Sequence, residues 1–221
     1  MESTGLAGLS KGRIEALTDG IFATVMTVLI LSLSVPVITG SQFSHAQISS
    51  ALVLDVEGLA PNILSYVMSF VILGVFWMRH HNMFHFITRV DRSFLWLNMG
   101  FLLTIGFIPF STALIGRYPL IQVSVIVYGA NLIATTLCMQ FLWLYSTRRK
   151  LLPTNALDEA VMSRINRRTT AGPIMYFIAI LLSIVSNEIS IAIYIVVLVY
   201  LLMVSVTGFG VSRKNAGLPH N

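Results

Sequence analysis

The chain has 221 residues, of which 56% are hydrophobic and only 10% are charged, and its formal net charge is +5. Soluble domains carry about 25% charged residues, so a water-soluble globule is excluded, because the surplus apolar surface has to face lipid or other membrane helices. The basic residues lie between apolar runs instead of on one stripe, which argues against nucleic acid as a partner.

Six apolar runs approach the roughly 20 residues that a helix needs to cross a bilayer. We therefore predict an all-α membrane protein, with residues 1–221 forming a single six-helix transmembrane domain. The predicted spans cover about residues 14–35, 60–77, 94–115, 120–145, 172–185 and 189–209. The first span stops at Pro36, the second has Pro61 at its start, where proline is tolerated, and Pro109 is expected to kink the third.

Two connecting segments have a character of their own. The stretch SQFSHAQISSALVLDVEG, residues 41–58, is predicted to be a polar, mildly amphipathic loop. The stretch LLPTNALDEAVMSRINRR, residues 151–168, predicts a short amphipathic helix at the membrane surface, with Thr154 or Asn155 as its cap. No apolar stretch with a cleavage site precedes the first span, so we expect that span to stay in the membrane.

Lysine and arginine are distributed very unevenly between the two sides of this predicted topology. One side holds 13 of the 14 basic residues and the other holds only Arg117. By the positive-inside rule both termini lie in the cytoplasm, and the even number of spans agrees. The 13 residues are Lys11, Arg13, Arg79, Arg89, Arg92, Arg148, Arg149, Lys150, Arg164, Arg167, Arg168, Arg213 and Lys214.

The first span carries a carboxylate, Asp19. A charge at the centre of a bilayer costs roughly 2.5–3.5 kcal/mol on insertion scales, so Asp19 needs a partner or water. Arg13 lies about 9 Å away along the helix axis, so we expect the partner on another helix; Asp19 is then either a satisfied structural carboxylate or a direct ion contact. Candidate partners are Trp77, Arg79, His80, His81, Asp91, Arg92 and Asn98, which can form a hydrogen-bonded network with Thr18 and Asp19.

Thr24, Thr27 and Leu31, with Val28, share one face of the first span by their spacing of three and four residues. Threonine in a membrane helix often bonds to its own backbone, so this face is either simple packing or the wall of a pore. A chain with one such helix makes a pore only by assembling copies around an axis.

His80, His81 and His85 raise the alternative of a metal or haem site, since histidines at i and i+4 share a helix face. His45 and His220 lie in a loop and in the tail, so two-helix ligation lacks partners. GxSxG, HExxH and P-loop patterns are absent from the sequence, so we predict no enzyme activity and no cofactor. The TVGYG filter is absent as well, so cation selectivity has to come from side chains and pore width.

The residues from Arg13 to Pro36 resemble the signature of the transmembrane protein 175 family of potassium-permeable channels. In that family an Arg, three residues and then Phe-Ser-Asp open the first helix; here Arg13, Leu17, Thr18 and Asp19 hold these places. The stretches SYVMSFVILGVFWMRHHNMF and DRSFLWLNMGFLLTIGFIPFSTALIG are similar to stretches of its bacterial members. Gly20, Ala23, Thr27 and Pro36 also match.

The resemblance implies a homotetramer in which the first helix of each subunit lines a central pore. The pore-facing positions that it implies are Thr24, Thr27 or Val28, and Leu31. Family members usually have Ile or Leu where this chain has Thr24, so a wetter ring, a weaker hydrophobic seal and altered selectivity are expected here. Leu31 or Val28 is then expected to form the tightest apolar constriction, which gates by dewetting.

The resulting hypothesis is a passive potassium-permeable channel in the cell (plasma) membrane, whose partners are its own copies, the lipid bilayer and permeant monovalent cations. A network of Arg13, Thr18, Asp19, Trp77, His80, His81 and Asn98 is expected to hold the first helix in place. The alternative is a secondary transporter with a membrane-embedded site at Asp19, although carriers commonly show internal repeats and none is visible here. A redox or enzymatic membrane protein that uses the histidines is a third class.

Overall fold

The computed structural model describes residues 10–37, 44–152 and 172–215, with side chains described up to residue 203. These ranges are helical almost throughout and contain no strand, which confirms the predicted all-helical fold. In chain order the elements are α1 (Lys11–Val28), a 3-10 segment (Leu29–Ser32), α2 (His45–Gly58), α3 (Ala60–Phe86), α4 (Arg92–Gly106), α5 (Ile108–Arg117), α6 (Gln122–Arg148), α7 (Gly172–Leu182) and α8 (Asn187–Asn215).

Four helical stretches are long and apolar enough to cross a bilayer. They are Lys11–Ser32, Ala60–Phe86, Arg92–Arg117 and Gln122–Arg148. Their lengths of 22 to 27 residues correspond to about 33–40 Å, which exceeds the hydrocarbon core of roughly 30 Å. Two further apolar helices are shorter within the described side chains, Gly172–Leu182 and Asn187–Met203. The chain is a multi-pass membrane protein, and a total of six spans stays a prediction.

The first two spans end at other residues than the hydropathy predicts. Helical structure stops at Ser32 and not at residue 35, and Leu33 is already extended with φ −95° and ψ 108°. Pro36 restricts the backbone of Val35, the residue before it, so it keeps the helix from continuing through residue 35, but this restriction does not reach Leu33. α3 runs nine residues beyond the predicted end, from Trp77 to Phe86. The helix continues into this polar stretch because its backbone hydrogen bonds are internal and do not require an apolar sequence.

The third span consists of two helices, α4 and α5, separated at Phe107. Pro109 has no N–H to donate to the carbonyl four residues earlier, and its ring crowds that carbonyl. The interruption therefore falls where the proline predicts it. The two pieces together still reach from Arg92 to Arg117.

The predicted loop after the first span is instead largely the helix α2. Its start is a capping box, in which Ser44 Oγ accepts from the backbone N–H of Gln47 and the Gln47 side chain accepts from the backbone N–H of Ser44. A Ser-x-x-Gln pattern is a known helix start, so this signal was present in the sequence. The predicted amphipathic helix at residues 151–168 lies largely outside the described residues.

α3 is the central helix of the bundle, since it contacts α1, α5 and α8, while α4 and α5 pack against α6. α5 lies close to α3 at Gly116, where a Cβ atom would stand 2.5 Å from Ser65 Oγ and 3.1 Å from Asn62 Cα. A larger residue at that point would force its neighbours on α3 to move. Gly129 of α6 is in a similar position, because a Cβ atom there would collide with the hydroxyl of Tyr194 on α8.

Candidate functional site

α1 has one buried face and one open face. The buried side chains recur every three to four residues and pack against α3 and α4. They are Ile14, Thr18, Phe22, Val25 and Leu29. This spacing keeps them on one side of the helix, so the opposite side points away from the chain's own bundle.

The open face of α1 is polar along its middle and apolar towards its end. Gly20, Thr24 and Thr27 are exposed, and they are followed by Val28 and Leu31. Leu31 is 75% exposed, whereas Leu29, two residues earlier, is completely buried. The residues predicted from the sequence to share one face therefore do share it, and that face is open.

The two threonine hydroxyls on this face donate to the helix backbone. Thr24 Oγ1 donates to the carbonyl of Gly20 at 2.8 Å, and Thr27 Oγ1 donates to the carbonyl of Thr24 at 2.7 Å. A hydroxyl has one hydrogen and two acceptor lone pairs. Because the hydrogens are used on the backbone, the oxygens offer only lone pairs to whatever lies on the open face, which suits a cation.

A buried hydrogen-bonded chain ties the other side of α1 to α3 and α4. Asn98 Nδ2 donates to Thr18 Oγ1 at 3.2 Å, and Asn98 Oδ1 lies 2.9 Å from His80 Nε2. Since the amide oxygen only accepts, His80 Nε2 carries the hydrogen and donates it. All three side chains are buried, so Asn98 links the first helix to the two helices behind it.

Asp19 has a separate partner on α3. The indole N–H of Trp77 donates to Asp19 Oδ1 at 2.8 Å, and the ring of His81 stacks on Trp77 with centroids 5.7 Å apart. One oxygen of the carboxylate in the first span therefore has its hydrogen-bond partner on another helix, as expected. Arg13 lies in the first turn of α1, before Thr18 and Asp19.

Asp91, considered above as a partner of Asp19, belongs to a different contact. Asp91 Oδ1 caps α4 by accepting from the backbone N–H of Phe94 at 2.7 Å, and Oδ2 accepts from the Tyr145 hydroxyl at 2.7 Å. Its position directly before α4 is that of a helix cap. It ties α4 to α6 and takes no part in the contacts of α1.

Two aromatic residues that the sequence analysis missed enclose His80. The ring centroid of Phe84 is 4.3 Å from that of His80, and the Phe101 ring is 5.4 Å away and nearly parallel to it. Phe84 follows His80 by four residues, so helical spacing alone would have found it. Phe101 comes from α4, and no local pattern indicates that contact. In the ranges that the structure covers, no three His, Cys, Asp or Glu side chains converge as a metal site would require.

The fold is that of a multi-pass membrane protein. One face of its first helix is exposed and carries hydroxyl groups, and the opposite face is bound to α3 and α4 by a buried hydrogen-bonded network. Residues 13–109 match the family model described as endosomal/lysosomal potassium channel TMEM175. The chain is 31% identical to a potassium channel of Chamaesiphon minutus, over 86% of this chain and 92% of that one. It is 30% identical to a potassium channel of Streptomyces collinus, over 82% and 86%.

A solved structure agrees with these matches. The crystal structure of a lysosomal potassium-selective channel TMEM175 homolog from Chamaesiphon minutus superimposes with a TM-score of 0.73 at 29% identity, covering 88% of this chain and 97% of that one. The chain belongs to the TMEM175 family of potassium channels. The family resemblance seen in the residues from Arg13 to Pro36 is confirmed.

Proposed function

We propose that the chain is a passive, potassium-permeable channel that assembles as a homotetramer, with α1 of each subunit lining a pore on the fourfold axis. The open face of α1 carries this proposal. A helix whose hydroxyl-bearing face points away from its own bundle needs water or other polar groups opposite it, and three further copies around an axis supply a water-filled space. The relatives named potassium channels support potassium as the permeant ion.

Six spans per subunit and cytoplasmic termini belong to the same proposal. In this proposal the fifth and sixth crossings are assigned to the segments that contain the shorter apolar helices α7 and α8, and the excess of basic residues on one side supports the orientation. The membrane that we propose is the cell (plasma) membrane, although the family model itself is described as endosomal/lysosomal.

Potassium passes this pore by exchanging part of its water shell for side-chain oxygens. The hydroxyl oxygens of Thr24 and Thr27 present lone pairs because their hydrogens are donated to the backbone. No cage of backbone carbonyls is needed, since rings of side chains and pore width also select ions. A ring of Thr24 attracts water more strongly than the Ile or Leu usual in the family, so the seal at this level is weak.

The tightest constriction is apolar and lies at Leu31 or Val28. Leu31 is the more exposed of the two on the open face, 75% against 42%, so it reaches farthest towards a partner copy. Narrow rings of apolar side chains gate by dewetting. The contacts Trp77–Asp19 and His80–Asn98–Thr18 hold the opposite face of α1, and Arg13 and His81 complete this proposed clamp.

Ion flux into liposomes tests the proposal. Vesicles that contain the purified protein should release a potassium gradient, and rates measured with potassium and with sodium give the selectivity. Vesicles that stay tight to both ions would contradict the channel. Variants at Thr24 and Leu31, described in the Discussion, test the pore face.

The competing function, a secondary transporter with its site at Asp19, is not favoured. The relatives are potassium channels, and the Asp19 carboxylate already accepts a hydrogen bond from Trp77. Recordings from single molecules in a planar bilayer separate the two classes. A channel shows discrete current steps, whereas a carrier turns over too slowly to show any.

A further inference from the structure

A cavity of about 60 Å³ lies within the subunit, at the end of the bundle where α3 begins and α5 ends. None of its lining residues belongs to α1, so it is separate from the proposed pore. Its wall comes from α3, α5, α6 and α8 and from Pro119 in the turn between α5 and α6. At about 15 Å³ for each water-sized position, it has room for roughly four such positions.

The wall of the cavity is mainly apolar and carries a few buried hydroxyls. Pro61, Met68 and Ile191 are among its apolar members, whereas Ser65, Tyr128 and Tyr194 bring hydroxyl groups. These three residues are at most 9% exposed. A site with apolar walls and a few fixed polar groups is typical of small-molecule binding.

The hydroxyl hydrogens are already used inside the protein. Ser65 Oγ donates to the carbonyl of Asn62 at 2.9 Å, and the Tyr194 hydroxyl donates to the carbonyl of Val125 at 3.0 Å. The Tyr128 hydroxyl pairs with Ser69 Oγ at 3.0 Å. Ser65 and Tyr194 therefore offer a guest only oxygen lone pairs. A matching guest donates a hydrogen bond and is otherwise apolar.

We propose that this cavity is a binding site for a small alcohol of two or three carbon atoms, whose hydroxyl donates to Ser65 or Tyr194 while its carbon chain contacts the apolar wall. Such alcohols have the size of the cavity and both of its chemical characters. The site is independent of the pore, so it holds whether or not the proposed channel function does.

The probe 2-fluoroethanol, followed by ¹⁹F NMR on the purified full-length protein in micelles, tests the site. We expect saturable binding with a Kd of about 1–10 mM, the range that so few atoms allow. The compound 1-fluoropropane has nearly the same shape without the hydroxyl, and its binding, corrected for uptake by empty micelles, is the reference that loss of a cavity hydroxyl should leave unchanged. Uptake that stays linear with concentration means that the cavity holds only water, and overturns the proposal.

Two phenylalanine variants on the same helix provide a matched pair. Ile191 lines the cavity, so Ile191→Phe should fill it and remove the saturable signal. Ile189 is exposed and does not line it, so Ile189→Phe should bind like the parent. Equal binding by both variants overturns the proposal.

Tyr194→Phe keeps the volume of the side chain and removes one acceptor. It should weaken 2-fluoroethanol binding severalfold and leave 1-fluoropropane binding unchanged. This variant and the ligand comparison keep the proposal testable if Ile191→Phe does not fold. If Tyr194→Phe changes the binding of both compounds equally, or of neither, and so does not weaken 2-fluoroethanol alone, the hydroxyl does not hold the guest, and the proposal is overturned.

Discussion

When a threonine hydroxyl on a membrane helix donates its hydrogen to the helix backbone, its oxygen still presents a polar surface. Thr24 and Thr27 both donate to carbonyls of their own helix, a contact that is common and often has no further purpose. Here the threonines stay exposed on the open face of α1, and in the proposed pore their oxygens would meet a cation with lone pairs alone. The structural and the functional interpretation of these threonines are therefore compatible, because the hydroxyl hydrogen binds the backbone while the oxygen lone pairs remain available.

Thr24→Val tests the oxygen without changing the size of the side chain. We expect potassium flux to fall about fivefold to tenfold, since losing a contact of roughly 1–1.4 kcal/mol has that effect. Thr24→Ser keeps the oxygen and should conduct like the parent. Thr147 donates to its own helix in the same way but lies at the end of α6, so Thr147→Val is the matched control. Unchanged flux in Thr24→Val contradicts the role of the hydroxyl.

Leu31→Ala tests the apolar constriction. Shortening this side chain widens a dewetting gate, so resting potassium flux should rise by about threefold or more. Leu54 is 68% exposed on α2, which makes Leu54→Ala a control of the same chemistry and similar exposure on another helix. If Leu31→Ala conducts like the parent, the constriction lies elsewhere, with Val28 as the next residue to test.

At the scale of helices, α1 is held by polar contacts near its start and by apolar packing near its end. Asp19 and Thr18 bond to α3 and α4, while Leu29 is buried and the 3-10 segment packs against α5. The start of the helix is thus fixed by directional hydrogen bonds, and its other end by close packing.

Asp19→Ala removes the acceptor for Trp77 and should cost about 1–2 kcal/mol. We expect a smaller fraction of assembled protein on size exclusion, before any change in ion selectivity. Asp19→Asn keeps an oxygen at the same place and should assemble normally. A fully assembled and normally conducting Asp19→Ala variant shows that the clamp is unnecessary.

Gly116 tests the close approach of α3 and α5. Gly116→Ala places a Cβ atom 2.5 Å from Ser65 Oγ, and overpacking of this kind costs about 1–3 kcal/mol, so the melting temperature should fall. At Gly106 a Cβ atom meets nothing within 4 Å. Gly106→Ala should therefore leave the melting temperature unchanged or raise it slightly. Equal melting temperatures for the two variants contradict the packing described here.

Hydropathy was sufficient to find the four long apolar spans because crossing a bilayer requires a long apolar run. Hydropathy did not predict where the helices end. For example, α3 continues through the polar stretch that contains Arg79 and His81. Hydropathy also missed α2, whose signal is the Ser44–Gln47 capping box and not its hydropathy. Among the site residues, Asn98 was listed only as one candidate, because its position between Thr18 and His80 depends on how three helices pack.

At the scale of the whole molecule, one chain leaves an exposed stripe on α1 that further copies would enclose in the proposed channel. The sequence of one chain does not encode the number of copies in any local pattern, so the tetramer rests on the family resemblance and on the open face of α1. The central helix α3, in contrast, packs against helices of its own chain. α3 has neighbours on several sides, and its buried polar groups find partners within the subunit.

Native mass spectrometry tests the tetramer. The purified protein should have about four times the 24.4 kDa mass of the chain, both in mild detergent and in lipid nanodiscs. Closed rings of identical subunits are expected when each copy presents the same pair of surfaces. A protein that is monomeric in both media cannot enclose a pore with α1.

The 3-10 segment also sets how long the first span is. A 3-10 helix rises about 2.0 Å per residue against about 1.5 Å for an α-helix, so the four residues Leu29–Ser32 make this span about 2 Å longer than uniform α-helical winding would. Cell membranes differ in thickness by a few Å. Rewinding these four residues would shorten the span without tilting it, and Leu31 would turn about the helix axis as it did so. A change in bilayer thickness that rewound this segment would thus act on Leu31, the residue proposed to narrow the ion path.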